Sequence, residues 1–597
     1  MSIKDVLSPF TAWKHLFHDP VSIKDPIGRA AAPRYRGFHR NDVEKCIGCG
    51  TCEAICQNGA IDMVPVGDPR PGDSGLRPRI DYGRCCWCAL CVDVCMTRSL
   101  DMSNIYTWVD GDGDAFRFIP GVDRKPWDDA ALGYRRPEAH QITGPTRQRT
   151  PMSEMAPEAR LLSFAEIVDG YDVAQAKLEA DRCVSCGLCV ATCPTHMAIP
   201  QYIQAIRDGD YQRAVGLLYE TNPFSSICGR VCTRKCESTC AARHEGDPVA
   251  IRWLKRHIMD HASDEQVRRA IGSPAAPTGR KVAIVGAGPA GLTAAFDLAR
   301  QGHRVVVFEA LDKAGGMTRY GIPEYRLPYD TIDRDVDIIR SVGVEIRCGV
   351  RVGQDVTLEQ LQADHDAVLI ALGLQDGRGT RIPGSEHPAV RRAVDLLRRV
   401  TAGEDIGAPR QAVVIGGGNV AMDIARTLAR LQKQAHGEVR VTLTALEDLP
   451  HFLADRDEIE ESAEEGVVIL DARGPQRVVV EDGKVSGLTT WRVRAIFDEQ
   501  GRFAPSYDDS DERFHPGDMV VEAIGQMADT RLLGDALTER LEWNRGRLQV
   551  DAGGRTSEPW LWSAGDMVRG PDVVSAVADG HRVAASIHAA FQQGLAK

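Results

Sequence analysis

The sequence predicts a multidomain α/β protein. Three observations indicate this class: a length of 597 residues, two glycine-rich segments with the order strand, turn, helix, and a first part that holds nearly all of the cysteines. A hydrophobic core stops growing beyond about 250 to 300 residues, so a chain of this length should contain several domains. We expect two Rossmann-like domains with three ββα layers, preceded by a helical domain and by an α+β domain.

Composition and charge exclude several function classes. The chain is 43% apolar and 26% charged, as in ordinary globular proteins, and its net charge of −12 offers no basic surface for a phosphate backbone. It has no apolar run long enough to span a membrane, and its first residues (MSIKDVLSPF) lack the apolar core of a signal peptide. We therefore expect no nucleic-acid partner, no membrane span and a cytoplasmic location.

The cysteines are the most informative residues of the composition. Seventeen of the eighteen precede residue 241 and lie in four tight groups, whereas Cys348 stands alone. Cytosolic redox buffers keep thiols reduced, so in a large intracellular chain metal binding is a commoner use of cysteine than disulfides. The first part of the chain is therefore expected to bind metal.

The first two groups, CIGCGTCEAIC and CCWCALCVDVC, share the spacing C-x2-C-x2-C-x3-C. This spacing folds a short loop around a 4Fe-4S cube, and in paired motifs the fourth cysteine of each run ligates the other cluster. The alternative, zinc knuckles, needs only paired CxxC arms and is disfavoured. The predicted ligand sets are Cys46, Cys49, Cys52, Cys95 and Cys85, Cys88, Cys91, Cys56, with Cys86 as a buried spare thiol.

Residues 34–60 (RYRGFHRNDVEKCIGCGTCEAICQNGA) resemble the two-cluster ferredoxin subunit of respiratory complex I, both in the RGxH approach and in the first motif. The resemblance implies a bacterial-type α+β ferredoxin domain with two clusters, which we place at 39–104.

The segments on either side of this domain are less regular. The N-terminal extension 1–38 has apolar residues at helical spacing that could pack on their own domain or on a partner subunit, namely Phe10, Trp13, Leu16 and Phe17. Residues 105–150 are rich in Asp, Gly, Pro and Arg without a sustained period and are expected to form a linker.

The third and fourth groups, CVSCGLCVATCP and CGRVCTRKCESTC, are separated by apolar residues at helical spacing, which predicts a mainly α domain at 151–265. Their cysteines are Cys183, Cys186, Cys189, Cys193, Cys228, Cys232, Cys236 and Cys240. At four cysteines to a cube, the sixteen grouped cysteines would hold four clusters. We expect three or four clusters, and four are preferred.

From residue 149 to 597 the chain resembles the small subunit of bacterial glutamate synthase, through RTPMSEMAPEARLLSFAEIVDGYDVAQAKLEADRC, CGRVC and DPVAIRWLK. Dihydropyrimidine dehydrogenase and the large subunit of NADH-dependent ferredoxin:NADP oxidoreductases share this module. The resemblance implies two further cubes, one on Cys183, Cys186, Cys189 and Cys240, the other on Cys193, Cys232, Cys236 and a helical Glu or Gln. Lys255 stands at that last position, and a protonated lysine cannot bind iron, so Cys228 is the expected substitute.

The first glycine-rich segment, KVAIVGAGPAGLTAAFDLARQGHRVVVFEA, predicts a dinucleotide-binding fold. Gly286 permits a tight turn, Gly288 lets the backbone approach a pyrophosphate, and Gly291 permits close packing of the helix that follows. Glu309, at the end of the second strand, would accept hydrogen bonds from ribose hydroxyls. Pro289 and Ala290, at the start of the helix, complete the predicted contact residues.

The resemblance implies FAD as the ligand of this fold. The segment AGGMTRYGIPEYRLPY matches the family's second FAD signature, and LWSAGDMVRGPDVVSAVADGHRVA matches its closing half, where Asp566 would bind the ribityl chain. The residues assigned to FAD in this way are Gly316, Met317, Arg326, Val352, Gly565, Asp566 and Val574. The FAD domain is expected in two parts, 279–400 and 506–597.

The second glycine-rich segment, QAVVIGGGNVAMDIARTLARL, predicts a nicotinamide-nucleotide domain inserted at 401–505. Its contact residues would be Gly416, Gly418, Asn419 and Val420. Relatives that use NADPH carry adjacent arginines after the second strand, where this chain reads VTLTALEDLP and presents Glu447. A carboxylate there favours a free 2′-hydroxyl, so we expect NAD(H) over NADP(H). The acidic run DRDEIEESAEEG that follows is interpreted as a solvated helix face.

Together these features predict an oxidoreductase that acts on NAD(P)H with an iron-sulfur protein as acceptor or donor. It would be an electron-transfer subunit linked to ferredoxin or to a larger complex, such as a 2-oxoacid:acceptor oxidoreductase. The alternative is a glutamate synthase small subunit, although ordinary members lack the ferredoxin domain. A non-enzymatic cluster scaffold does not explain two dinucleotide folds.

Overall fold

The computed structural model of the chain describes residues 31–136, 147–544 and 546–594, together with Phe10, Trp13 and Leu16. The chain divides into two compact units, Met1–Gly144 and Pro145–Lys597. Among the described residues, no helix is long and apolar enough to cross a bilayer. Phe17 and most of the extension lie outside the described residues, and the side chains of Phe10, Trp13 and Leu16 are exposed, so both explanations of this apolar face stay predictions.

The first unit is an α+β domain built around the first two cysteine groups. Strand His39–Asn41 pairs antiparallel with Leu100–Met102, and a second antiparallel sheet has the order Ile61–Pro65, Leu76–Asp81, Arg117–Phe118. Each cysteine run enters a short helix, Thr51–Ile55 or Leu90–Asp93, and a 3-10 turn spans Gly113–Phe116.

Residues 105–136 differ from the expected linker, because they belong to the first unit and complete its core. Trp127 is 1% exposed and stacks on Phe38 with ring centroids 4.1 Å apart, and strand Arg117–Phe118 extends the sheet. These aromatic contacts join residues far apart in sequence, so local composition could not reveal them.

The second unit opens with a helical domain around the third and fourth cysteine groups. Its helices are Pro157–Arg160, Val173–Ala180, Leu188–Thr192, Ile199–Asp208, Tyr211–Tyr219, Ser225–Val231, Lys235–Ser238, Ile251–His261 and Asp264–Ile271, with a 3-10 turn at Ala241–His244. Helices Ser225–Val231 and Ile251–His261 approach so closely that a Cβ on Gly229 would lie 2.8 Å from Arg256 Cα.

A five-stranded parallel sheet forms the first Rossmann-like domain. Its order is Leu561–Ser563, Ala367–Ile370, Lys281–Val285, Arg304–Phe308, Glu345–Arg347. Its helices are Pro289–Arg300, Met317–Tyr320, Tyr329–Ser341, Leu358–Asp364, Gly534–Arg540 and Val573–Gln592, with 3-10 turns at Arg531–Leu533 and Gly565–Met567. Two short antiparallel pairs join Asp376–Gly377 to Gln526–Met527 and Trp543–Asn544 to Arg547–Leu548.

The inserted domain has a second parallel sheet, in the order Val390–Arg392, Met519–Glu522, Ala412–Ile415, Val441–Thr444, Val468–Leu470. An antiparallel sheet of Arg473–Glu481, Lys484–Phe497 and Phe503–Pro516 accompanies it. Its helices are Ala393–Thr401, Asn419–His436 and Arg456–Glu464, with a 3-10 turn at Leu449–His451. The sheet thus extends beyond the expected 401–505 on both sides, because the strand at 519–522 returns to pair between the strands at 390–392 and 412–415.

The acidic helix Arg456–Glu464 is not a solvated face, and that interpretation of the sequence was wrong. Glu458 is 7% exposed and Glu465, just after the helix, is fully buried. Both oxygens of Glu465 accept hydrogen bonds from the guanidinium groups of Arg426 and Arg430, at 2.5 to 3.1 Å. The acids are placed opposite arginines that lie elsewhere in the sequence.

The same helix also joins the inserted domain to its neighbours. Glu458 accepts from Arg326 of the first Rossmann-like domain at 2.7 Å, and Asp457 is ion-paired with Arg234 of the helical domain at 2.6 Å. Glu464 pairs with Arg160 at 2.9 Å. The acidic helix therefore fixes how three domains of the second unit meet.

Replacing Glu465 by Gln should destabilise the inserted domain by about 3 to 5 kcal/mol, because it leaves two buried guanidinium groups without a full counter-charge. Denaturant unfolding followed by circular dichroism measures the change. The matched control is Glu460→Gln on the same helix, whose partner Arg456 is exposed and whose loss should leave the transition unmoved. Equal effects of the two substitutions would contradict the account.

Candidate functional site

The first glycine turn has the geometry that a dinucleotide pyrophosphate requires. Gly286 has φ 106°, and a Cβ there would lie 2.4 Å from the carbonyl oxygen of Ala371. A Cβ on Gly291 would lie 2.2 Å from the oxygen of Gly286, so only glycine lets the helix pack on the turn. Helix Pro289–Arg300 begins directly after Gly288, so its free N–H groups face the turn.

Glu309 lies where the sequence places the ribose acceptor. It is 8% exposed and accepts hydrogen bonds from the backbone N–H groups of Ala287 at 2.8 Å and Leu311 at 2.9 Å. Burial raises the pKa of Glu309, and these N–H groups oppose the shift. A cavity of about 500 Å³ is lined by Gly286, Glu309 and Val352, three of the predicted contact residues.

The other end of the predicted FAD site is formed by two further turns. Gly316, with φ 57°, approaches the first turn so closely that its Cβ would lie 2.7 Å from Gly288 Cα, and Met317 begins the next helix. Gly565 approaches Ala290, whose Cβ would be 3.0 Å from a Cβ on the glycine.

Asp566 supplies an unused buried acceptor at this end. Its Oδ1 atom is buried and has no hydrogen-bond partner among the described residues. Burial, and then the nearby Asp572, raises the pKa of Asp566 to about 7. A ribityl hydroxyl would satisfy this oxygen, so the residues present fit a bound FAD. Val574 is buried in the first turn of helix Val573–Gln592.

Arg326 is placed differently from the other predicted FAD residues. Its guanidinium donates to both oxygens of Asp423, at 2.7 and 2.8 Å, and pairs with Glu458 in the inserted domain. Burial lowers and these carboxylates raise the pKa of Arg326, which lies above its usual range. Arg326 thus links two domains, and its assignment to FAD stays a prediction.

The second glycine turn repeats the first in the inserted domain. Gly416 has φ 143°, and a Cβ there would lie 2.4 Å from the oxygen of Ala523. Helix Asn419–His436 starts after Gly418, with Val420 in its first turn; Asn419 Oδ1 accepts the N–H of Asp455 at 2.8 Å. Glu447 reaches the turn itself, because a Cβ on Gly417 would lie 3.1 Å from its Oε2 atom.

In the first unit, cysteines of the two runs lie near one another, and the crossed ligand sets stay a prediction. Cys86, expected to be buried, is exposed, so that expectation was wrong. A cavity of about 110 Å³ is lined by Cys56 of the first run together with Cys85, Cys88 and Cys91 of the second. Burial, with contributions from Cys85, Cys88 and Cys56, raises the pKa of Cys91 to about 12. For the other set, burial and then Cys49, Cys91, Cys46 and Cys95 raise the pKa of Cys52.

In the helical domain, one set lies around Cys189. Burial and then Cys186, Cys183 and Cys240 raise the pKa of Cys189 above its usual range. These four thiols are therefore close to one another, and their binding of one cluster stays a prediction. The second set lies around Cys236, whose pKa is raised by burial and then by Cys232, Glu237 and Cys193.

Lys255 lies within this second set. It is 5% exposed, and burial lowers its pKa while Cys228, Cys232, Cys193 and Cys236 raise it, so that the net shift is upward. Cys228 is fully buried, and its pKa is raised to about 12 by burial, with Lys255 opposing the shift and Cys232 adding to it. Cys228 therefore lies near Cys232 and Lys255, and its role as a fourth ligand stays a prediction.

The described side chains include no group of three or more His, Cys, Asp or Glu residues drawn together as around a single metal ion. The thiols of each set lie near one another, but they are not placed as in a complete coordination sphere. Their donor chemistry, thiolate sulfur in sets of four, fits 4Fe-4S clusters.

His39 lies near one of the cysteine sets, and the sequence analysis did not single out this histidine as functional. It is 1% exposed, and its Nε2 atom lies 3.2 Å from the sulfur of Cys91. Burial lowers the pKa of His39 to about 4. His39 is the histidine of the RGxH motif that precedes the first cysteine run. The sequence therefore shows the motif, but it does not show the contact between His39 and Cys91.

A family model described as pyridine nucleotide-disulphide oxidoreductase matches residues 280–594, just over half of the chain. The chain belongs to the pyridine nucleotide-disulphide oxidoreductase family. A model of dihydropyrimidine dehydrogenase domain II with a 4Fe-4S cluster matches residues 160–267, and a model of a 4Fe-4S dicluster domain matches residues 45–99. This family member is thus an oxidoreductase that also carries 4Fe-4S domains, and the resemblances and the fold class inferred from the sequence are confirmed.

Three relatives illustrate the similarity. The β subunit of an NADP(+)-dependent formate dehydrogenase from Moorella thermoacetica is 37% identical over 438 residues, which are 68% of this chain but only 60% of the relative. The NADPH glutamate synthase small chain of Mycobacterium tuberculosis is 34% identical over 74% of this chain and 93% of its own length. The NAD-dependent dihydropyrimidine dehydrogenase subunit PreT of Escherichia coli is 37% identical over 71% of this chain and 96% of its own.

Replacing Asp566 by Ala should weaken FAD binding by about tenfold to a hundredfold, since a hydrogen bond to a charged group contributes about 1.5 to 3 kcal/mol. The measurement is the dissociation constant of FAD from deflavinated protein, followed by flavin fluorescence. Asp535→Ala, at an exposed acid of the same domain, is the control and should bind FAD normally. Unaltered binding by the Asp566 variant would remove this residue from the site.

Proposed function

We propose that this family member is an electron-transfer subunit of an oxidoreductase, passing electrons between NAD(H), FAD, its 4Fe-4S clusters and a ferredoxin or partner oxidoreductase. The observation that carries the proposal is that two complete glycine turns share one compact unit with two cysteine sets. The partner would be an enzyme such as a 2-oxoacid:acceptor oxidoreductase.

Each part of the chain then has a task. The turn at Gly286 and the acceptors Glu309 and Asp566 would hold FAD, and the turn at Gly416 would hold the nicotinamide nucleotide. When bound, FAD exchanges a hydride with the nicotinamide and single electrons with iron-sulfur centres. The chain contributes position and exclusion of water, and we assign no side chain as an acid or base.

The relatives support a subunit role with a variable terminal reaction. Their names describe them as subunits of a formate dehydrogenase, a dihydropyrimidine dehydrogenase and a glutamate synthase. The 4Fe-4S dicluster segment at 45–99 would provide the exit to the partner. The direction of electron flow follows from the partner's potential.

The second candidate is a glutamate synthase small subunit, favoured by an alignment over 93% of that relative. Against it, the alignment leaves about a quarter of this chain unmatched, and the arginine pair expected of NADPH users is replaced by Leu446 and Glu447. A glutamine-dependent amidotransferase subunit that co-purifies with the chain would favour this candidate instead.

The carboxylate of Glu447 is proposed to select NAD(H), because it lies against the second glycine turn where the ribose would bind. Glu447→Ala should lower kcat/KM for NADH about tenfold or more, through loss of a charged hydrogen bond, and should spare or raise that for NADPH. Steady-state reduction of a dye with each nucleotide measures both values. Asp448→Ala, at the exposed neighbouring acid, should change neither. Parallel losses with both nucleotides would contradict the assignment.

Four clusters are proposed, with Cys228 as the fourth ligand in the set around Cys236. Anaerobically purified protein should contain about sixteen irons per FAD, and NADH should bleach the flavin within the mixing time of a manual experiment. Iron analysis and optical spectra check both expectations.

Cys228→Ala should lower the iron content by up to about four per FAD, or change the EPR spectrum of one cluster. Cys348→Ala, outside the four groups, is the control and should leave iron unchanged. If the wild-type protein contains about eight irons per FAD and its flavin is reduced by NADPH but not by NADH, the result would favour the glutamate synthase small subunit instead.

A further inference from the structure

His39 makes a closed set of hydrogen bonds beside the cavity of Cys56, Cys85, Cys88 and Cys91. The backbone N–H of His39 donates to Tyr82 Oη at 2.8 Å, its Nδ1 lies 2.9 Å from the same hydroxyl, and its Nε2 lies 3.2 Å from Cys91 Sγ. His39 and Tyr82 are both buried, and His39 lines the cavity directly.

The proton positions in this set follow from donor and acceptor balance. A neutral imidazole carries one N–H, and an iron-bound cysteine sulfur has no proton to give. If the N–H were on Nδ1, the lone pair of Nε2 would face the anionic sulfur. With the N–H on Nε2, Tyr82 donates its hydroxyl proton to Nδ1, accepts the backbone N–H of His39, and leaves Nε2–H directed at Cys91.

We propose that His39 is a positioning residue that donates an Nε2–H hydrogen bond to the Cys91 sulfur and thereby raises the reduction potential of the cluster in this cavity, with Tyr82 fixing the tautomer. The inference rests on the proposed cluster at Cys56, Cys85, Cys88 and Cys91. The Cys91 sulfur becomes more negative when the cluster gains one electron, and no proton moves in that step. A fixed N–H donor stabilises the more negative state, which is how hydrogen bonds to sulfur tune such centres.

The consequence is an unequal pair of clusters in the first unit. The sulfur atoms of the other set have hydroxyl neighbours, with Thr51 Oγ1 2.7 Å from Cys49 Sγ and Ser99 Oγ 3.4 Å from Cys95 Sγ. Among the described residues of the first unit, His39 is the one imidazole hydrogen-bonded to a grouped cysteine. The cluster beside His39 would therefore have a higher reduction potential than the same cluster without this donor, and its potential would differ from that of the other cluster in the first unit.

The test is an EPR redox titration of the full, iron-loaded chain and three variants. His39→Leu removes the donor and should make reduction of one cluster about tenfold less favourable, a downward shift of about 59 mV for one electron. His39→Gln retains an N–H donor and should recover part of the shift. Tyr82→Phe frees the tautomer and should shift the same cluster in the same direction by less.

The control is Ile80→Val, which shortens an apolar wall residue of the same cavity without touching a hydrogen bond and should move no potential. Iron analysis distinguishes the role of His39 from the presence of the cluster. If His39→Leu contains as much iron as the wild type, about sixteen atoms, but no cluster potential shifts, only the role of His39 is overturned. If Cys88→Ala leaves the iron content and every EPR signal unchanged, the assignment of a cluster to this cavity is overturned.

If His39→Leu fails to retain its cluster, pulsed EPR of the wild-type protein labelled with ¹⁵N-histidine decides the question. A ¹⁵N hyperfine coupling on a reduced-cluster signal, weakened in Tyr82→Phe, supports the hydrogen bond. Absence of any ¹⁵N coupling in the wild-type protein contradicts it.

Discussion

The buried ion pairs between the acidic helix and its arginines are the interaction on which the second unit depends. A buried charge without a partner costs several kcal/mol, so each of these groups requires its partner at short range and in a fixed geometry. The guanidinium of Arg430 lies over the ring of the buried Tyr325, 3.7 Å from the ring centroid. Arg326, which follows Tyr325 in the sequence, forms an ion pair with Asp423 of the inserted domain. The network thus links the two domains that carry the glycine turns.

This constraint explains why the site is assembled from distant parts of the chain. The FAD turn, the nucleotide turn and the second cysteine set of the helical domain all belong to the unit that the network holds together. Glu309, Asp566 and Glu447 lie at three such turns, and under the proposed function each would accept a hydrogen bond from a ribose or ribityl hydroxyl. Binding and orientation are what the protein supplies, since the cofactors carry the redox chemistry.

Local signals in the sequence predicted the parts that depend on local geometry. Gly286 and Gly416 could be assigned because a tight turn with positive φ has few other solutions. The cysteine spacing indicated which thiols would be neighbours, and Cys56 of the first run does line one cavity with Cys85, Cys88 and Cys91 of the second. The acidic run was misread because charge composition does not reveal arginines that lie about thirty to three hundred residues away, as Arg430 and Arg160 do. Trp127 was assigned to a linker for the same reason, since its stacking partner Phe38 is remote in sequence.

The proposed function requires the nicotinamide nucleotide to exchange electrons with the clusters of the first unit, and we propose that the clusters of the helical domain carry these electrons. The most direct test follows the EPR signals of those clusters while the NADH/NAD⁺ ratio is changed under anaerobic conditions, in wild-type protein and in Cys236→Ala. The account predicts that the signals follow the ratio in the wild type and cease to follow it in the variant, although NADH still bleaches the flavin. Signals that ignore the ratio in the wild type, or follow it equally in the variant, would contradict the account.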